Sequence, residues 1–265
     1  MFKFDDKKCY KMPAHFGGFD HDPAKVLYYG DVVSVSYTYT TDGDRLADYL
    51  PEGFGLLRPE LNIVFTQSRE IDWMAGSRYN LIEVNAPARF NGQRDRLEGV
   101  FALVVWENKT APILGGREET GIPKIFADIE DLHIFQGNCS TNASHEGNTF
   151  LRLDMTGAQP LDGDELAQLK TLGADRNLFG WRYIGKVGGP GADLSQAILY
   201  PQSSEINSAW TGSGKVQWIE QTWQQNPMQF HIIKALADLP IIEMAPVLMI
   251  KGVAILKPAA ARVLE

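Results

Sequence analysis

One lysine stands out for its surroundings. In the stretch GGREETGIPKIFADIEDL, residues 115–132, Lys124 lies between Gly121-Ile122-Pro123 and Ile125-Phe126, with Ile129 a little further on. A lysine after proline is ordinarily a solvated turn residue, because lysine is among the side chains least often fully buried. These apolar neighbours argue the other way. An amine held among them loses the hydration that stabilises its ammonium form, and the neutral amine attacks ketones to form a Schiff base.

Other chemistries find less support. The histidines, at 15, 21, 133, 145 and 231, show no HxH or HExxH spacing, so no metal site is expected. His231 reads as a packed or partly exposed helix residue. The glycines of GKVGGPGADLS (185–195) lack the GxGxxG spacing and are followed by no Lys-Ser/Thr pair, which makes a loop between strands the better reading. No GxSxG elbow is present to support a hydrolase triad.

The elements that must position Lys124 are mostly strands. DVVSVSYTYTT (31–41) alternates apolar or aromatic with polar residues, and LNIVFTQ, YNLIEVNAPARF, VFALVVW, KIFADIEDLHIF, TFLRLDM, GWRYIGKV and PVLMIKGVAIL follow. Helical patterns are expected at 41–51, 162–173 and 226–240, and 137–147 (GNCSTNASHEG) reads as a loop. With no repeat or linker, the chain is read as one β-rich domain over residues 1–265.

Composition narrows the partners. Charged residues are 22% of the 265 and hydrophobic ones 44%, as in a folded globular protein. The formal net charge is −8 and the basic residues are scattered, so nucleic acid is not expected as a partner. Cys9 and Cys139 form no CxxC pair and read as reduced thiols. The N-terminal stretch has no apolar signal region and no segment approaches eighteen apolar residues, so a cytoplasmic protein without membrane contact is expected. The six tryptophans read as core or interface residues.

GREETGIPK resembles the active-site segment of the acetoacetate decarboxylase family, in which Gly-Arg-Glu precedes a Pro-Lys pair whose lysine forms the Schiff base. Gly116-Arg117-Glu118 fits without a gap, placing Lys124 on the catalytic lysine. TDGDRLADYLPEGF (41–54), YNLIEVNAPARFNG (79–92), AWTGSGKVQ (209–217) and LADLPIIE (236–243) resemble further family segments in the same order. The resemblance implies a β-rich α+β fold, with curved antiparallel sheets around a barrel-like cavity and a few peripheral helices. It also implies a homo-oligomer and a Schiff-base lyase that acts on a small keto acid, releases carbon dioxide and needs no organic cofactor.

Three departures bear on the substrate. Ile125 stands where the family prototype has a second lysine, Leu81 stands where it has a glutamate, and no arginine opens the first core strand. Glu83 lies on the same strand face as Leu81 and is the expected proton carrier beside Lys124. Tyr79, Arg117 and Glu118 are assigned to substrate binding, and Arg78 or Arg117 would supply a cation. Members of the superfamily that join pyruvate to an aldehyde with loss of water offer an alternative activity, and a non-catalytic carboxylate-binding protein a second.

Overall fold

The computed structural model describes residues 1–172 and 175–265. Two short strands, β1 (Lys8–Cys9) and β2 (Phe19–Asp20), pair with each other. The alternating sequence then forms β3 (Leu27–Thr40), helix α1 (Gly43–Ala47), β4 (Phe54–Leu56), β5 (Glu60–Ile71), β6 (Ser77–Asn91) and β7 (Arg96–Glu107). Helix α2 (Thr110–Thr120) leads into the short β8 (Lys124–Phe126), β9 (Asp128–Ile129) and β10 (His133–Phe135). Next come β11 (Asn138–His145), β12 (Asn148–Leu161), α3 (Gly163–Leu172), β13 (Asp175–Gly185) and β14 (Ala192–Trp218). Helix α4 (Phe230–Ala237), β15 (Glu243–Met244), β16 (Val247–Leu256) and β17 (Arg262–Val263) follow.

Seven of these strands close a ring. Their order is β14, β13, β7, β6, β5, β3 and β16, and β16 pairs back onto β14. Strand β14 makes closure possible by its length: it pairs β13 near its start, β16 in its middle and β12 near its end. A closed ring leaves those strands few unpaired edges.

Alternation along the ring strands separates a core from a cavity. On β3, Val33, Val35, Tyr37 and Tyr39 enter the main apolar core, while Val32, Ser34 and Ser36 line the cavity. On β7, Val104 and Trp106 enter the core, and Val105 and Glu107 take the other face. The core lies outside the ring, where β11, β12 and α4 cover it; Trp106 stacks 5.0 Å from Phe150, near Ile233 and Leu236. Among the described residues, no helix is long and apolar enough to cross a membrane.

The β-rich, curved-sheet architecture is as expected, with local differences. Among the described residues two pairings are parallel, β7 with β13 and β7 with β8. A parallel neighbour needs a crossover, and α2 is the crossover between β7 and β8; the sequence reading had no helix there. The supposed loop 137–147 contains strand β11, whose inward residues Cys139, Thr141 and Ala143 are too small to signal a buried face. KIFADIEDLHIF breaks into three short strands. The helices expected at 41–51 and 226–240 shrink to Gly43–Ala47 and Phe230–Ala237, and residue 173 of the third lies outside the described residues.

Candidate active site

Lys124 is the first residue of β8, and the turn before it decides where its side chain goes. Gly121 ends α2 with φ +66°, a left-handed conformation that costs glycine little, and its N–H donates to the Gly116 carbonyl. The chain then reverses through Ile122 and Pro123, and the Pro123 carbonyl accepts from Val105 N at 3.0 Å to start the parallel ladder. The lysine side chain passes over Gly116, where any Cβ would overlap its Cδ and Cε. Its Nζ donates to the Pro112 carbonyl at 3.2 Å. The helix is thus a cradle, and its glycine leaves room for the lysine stem.

The nearest charged neighbour of that amine is Glu107, which the sequence reading did not select. Val105 pairs with Lys124 and Glu107 with Phe126, so Glu107 sits on the same face two residues along. Its Oε1 lies 2.8 Å from Lys124 Nζ. The Glu107 side chain is fully buried and that of Lys124 is 15% exposed. The approach is an ion-pair contact without an aligned hydrogen bond, and neither oxygen has a hydrogen-bond partner among the described residues. Burial raises the proton affinity of the Glu107 carboxyl, and nearby Glu83 adds to that, while Lys124 opposes it. Sequence reading left burial alone to tune the amine; the structure adds an acid beside it. The signal was present in VFALVVWE, where period-two alternation puts Glu107 opposite in face to Trp106.

Glu83 lines the same cavity but is already engaged. Arg176 Nη1 and Nη2 donate to its two oxygens, each at 3.2 Å, and Asn85 Nδ2 donates to Oε1 at 2.6 Å. Arg176 also donates to Gln202 Oε1, at 2.9 and 2.7 Å. Arg176 is 93 residues from Glu83 in sequence, so no local pattern announces the pair.

Tyr79 belongs to a phenol cluster. Its hydroxyl donates to Tyr29 at 3.3 Å, and Trp73 Nε1 donates to the same oxygen at 3.2 Å. Tyr29 therefore accepts twice and keeps its own proton for a third partner. Burial raises the Tyr29, Tyr79 and Tyr200 phenols above their usual range, so they stay neutral donors at physiological pH.

The remaining expected residues fall in different places. Glu118 lines the cavity. Arg117 does not line it: its Nη1 donates to the Lys124 carbonyl at 3.0 Å, fixing the backbone of the lysine. Arg78 is exposed and likewise does not line it. The residue after the lysine, Ile125, packs against the core and so points away from the amine. The cavity measures about 1220 Å³ and mixes apolar walls, including Val64, Leu81, Val105 and Ile250, with Ser34 and Thr66. Residues of the N-terminal segment, among them Tyr10, Lys11 and Phe19, also line it. No cluster of three His, Cys, Asp or Glu side chains suited to a metal occurs among the described residues.

A sequence profile described as Acetoacetate decarboxylase (ADC) matches residues 11–254. The chain belongs to the acetoacetate decarboxylase family. The acetoacetate decarboxylase of Burkholderia ambifaria (strain MC40-6) is 26% identical over 236 residues, spanning 89% of this chain and 87% of that protein. The crystal structure of acetoacetate decarboxylase from Legionella pneumophila matches with a TM-score of 0.73 at 21% identity, over 91% of this chain and 88% of that one. MppR, an enduracididine biosynthesis enzyme solved with pyruvate, matches with a TM-score of 0.71 at 16% identity, over 97% of each chain. These structures share the fold. Around Lys124 this chain places Leu81 on the cavity wall, Ile125 against the core and Glu107 as the buried acid that touches the amine.

Proposed function

We propose that the protein is a Schiff-base lyase acting on a small keto acid, with Lys124 as nucleophile and Glu107 as its proton partner. The observation that carries this reading is the 2.8 Å contact between a cavity-lining amine and a fully buried carboxylate. A carboxyl whose proton affinity is raised by burial accepts a proton from the ammonium, and a neutral amine results. The amine attacks the substrate carbonyl carbon, and the carbonyl oxygen becomes the hydroxyl of a carbinolamine. Glu107, now protonated, returns its proton to that hydroxyl, water leaves and an iminium forms.

In a 3-oxo acid the bond to the carboxylate then breaks. Its electron pair moves into the iminium, carbon dioxide leaves and an enamine remains. Protonation at carbon and hydrolysis of the imine release a ketone and restore Lys124. In this reading the Tyr29 hydroxyl, which lines the cavity and keeps its proton, donates a hydrogen bond to the substrate. Glu83, held by Arg176 and Asn85, serves the electrostatics of the cavity rather than carrying the first proton.

A second reading keeps the imine and changes the bond: a pyruvate-derived enamine adds to an aldehyde and the adduct loses water. The cavity volume favours it, because about 1220 Å³ exceeds the 300–1,000 Å³ typical of small-molecule sites and has room for two reactants. Incubation with acetoacetate, and separately with pyruvate plus an aldehyde, followed by product analysis, separates the readings. Carbon dioxide from acetoacetate supports the first, and a dehydrated condensation product supports the second. A protein that binds keto acids but produces neither is a non-catalytic member.

A further inference from the structure

Among the described residues, five lysine and arginine side chains line the cavity: Lys11, Lys25, Lys124, Arg176 and Arg182. Four have partners. Lys11 pairs with Glu119 at 2.6 Å, Lys25 lies 6.0 Å from the centre of the Phe19 ring, Lys124 meets Glu107, and Arg176 holds Glu83. Arg182 is the exception among the described residues. It has no ion pair and no hydrogen bond, and its Nε is buried without any partner.

Its position is fixed by backbone packing. Arg182 follows Arg176 and Leu178 on the cavity face of β13, and Gly121, three residues before Lys124, abuts its backbone so closely that a Cβ on Gly121 would meet Arg182 N at 2.8 Å. The turn that delivers the lysine and the strand that delivers the arginine therefore pack directly together. Glu118 and Glu205 also line the cavity, and neither pairs with this guanidinium.

We infer that Arg182 is the receptor for a substrate carboxylate, and specifically for one that the reaction retains. This rests on the imine chemistry proposed for Lys124. A guanidinium stays charged at every step, and one held partly out of water gains most from an anion that also stays. A cation bound to a departing carboxylate would stabilise the ground state more than the transition state, since that charge moves into the enamine. Arg182 thus points to keto acids that keep a carboxylate in the product, either 3-oxo dicarboxylates that lose one of two or 2-oxo acids in aldol chemistry. Acetoacetate, which keeps none, is disfavoured as the natural substrate.

The test compares two stable ketones, levulinate and 2-pentanone, in borohydride trapping on wild type and on Arg182→Gln and Arg182→Lys, each checked for folding by circular dichroism. Wild type should reach half-maximal adduct with levulinate at a concentration roughly ten times lower than with 2-pentanone, in line with a charge-assisted bidentate contact. Arg182→Gln should lose that preference and still trap 2-pentanone as wild type does, and Arg182→Lys should recover part of it. Equal trapping of both ketones by wild type, or a preference that survives in Arg182→Gln, overturns the arginine assignment and leaves the lysine chemistry standing. If wild type traps neither ketone, and neither pyruvate nor acetoacetate, the lysine chemistry fails and the arginine assignment falls with it.

Discussion

Lys124 and Glu107 sit on adjacent parallel strands, offset by two residues, and that offset brings Nζ to 2.8 Å from Oε1 on the cavity face. Glu107→Gln keeps the shape and removes the proton acceptor. Its turnover should fall by about 10²–10⁴-fold, the usual span for a general acid–base group, with the fold intact. Full activity in Glu107→Gln would remove the acid from the mechanism.

The same carboxyl sets a pH dependence. Its proton affinity is raised in the folded protein, chiefly by burial. The folded state then binds this proton more tightly than the unfolded state, so the contribution of Glu107 to stability falls as pH rises from the unfolded value through the higher folded one. Activity that needs ionised Glu107 should decline on acidification at a pH above the ordinary carboxylate range. The acid limb of the rate profile should vanish in Glu107→Gln, and an unchanged limb would assign it to another group.

Gly116 tests the cradle. Alanine in a helix interior is favoured over glycine by about 1 kcal/mol, but here its Cβ would overlap Lys124 Cδ and Cε. Because the lysine is the flexible partner, Gly116→Ala should keep the fold and sharply slow imine formation, measured as the rate of borohydride-trapped adduct. A variant that traps at the wild-type rate would show that the lysine stem does not depend on that gap.

Glu83 and Arg176 should behave as a pair. A double-mutant cycle with Glu83→Gln and Arg176→Gln, read by denaturant unfolding, should give a coupling of roughly 0.5–1 kcal/mol, because the Arg176 side chain is 43% exposed. Glu83→Gln should retain the lysine adduct. Should it lose the adduct while Glu107→Gln keeps it, the roles of the two acids are reversed.

How much of this could be read from the chain follows from sequence distance. The strands were legible because alternation is local, and Lys124 was legible because its apolar neighbours and the GRE segment lie within nine residues of it. Glu107 is signalled only by alternation on its own strand, whereas the family resemblance points to acids on the Tyr79 strand. Arg176 and Arg182 could not be placed, since β13 joins β7 through only two parallel pairs, Leu178 with Val100 and Phe179 with Phe101. Helix α2 was missed because Pro112, Gly115 and Gly116 argue against a helix, and the tertiary need for a crossover prevails.

The two thiols should differ in reactivity. Cys139 is buried under the apolar core, and burial, with Asp154 nearby, pushes its thiol up to about 11. At pH 8 it holds very little thiolate and should alkylate with iodoacetamide only after unfolding, whereas the half-buried Cys9 reacts in the native protein. Peptide mass mapping before and after denaturant distinguishes the two, and rapid native labelling of Cys139 would contradict the packing of β11.

The central claim is that Lys124 forms a covalent imine. Wild type and Lys124→Ala, both shown to be folded, should be incubated with pyruvate, acetoacetate and levulinate, reduced with borohydride and analysed by intact and peptide mass. The account predicts one adduct per chain, located on Lys124 and absent from Lys124→Ala. No adduct on wild type with any of these acids, or an equal adduct on the alanine variant, would contradict it.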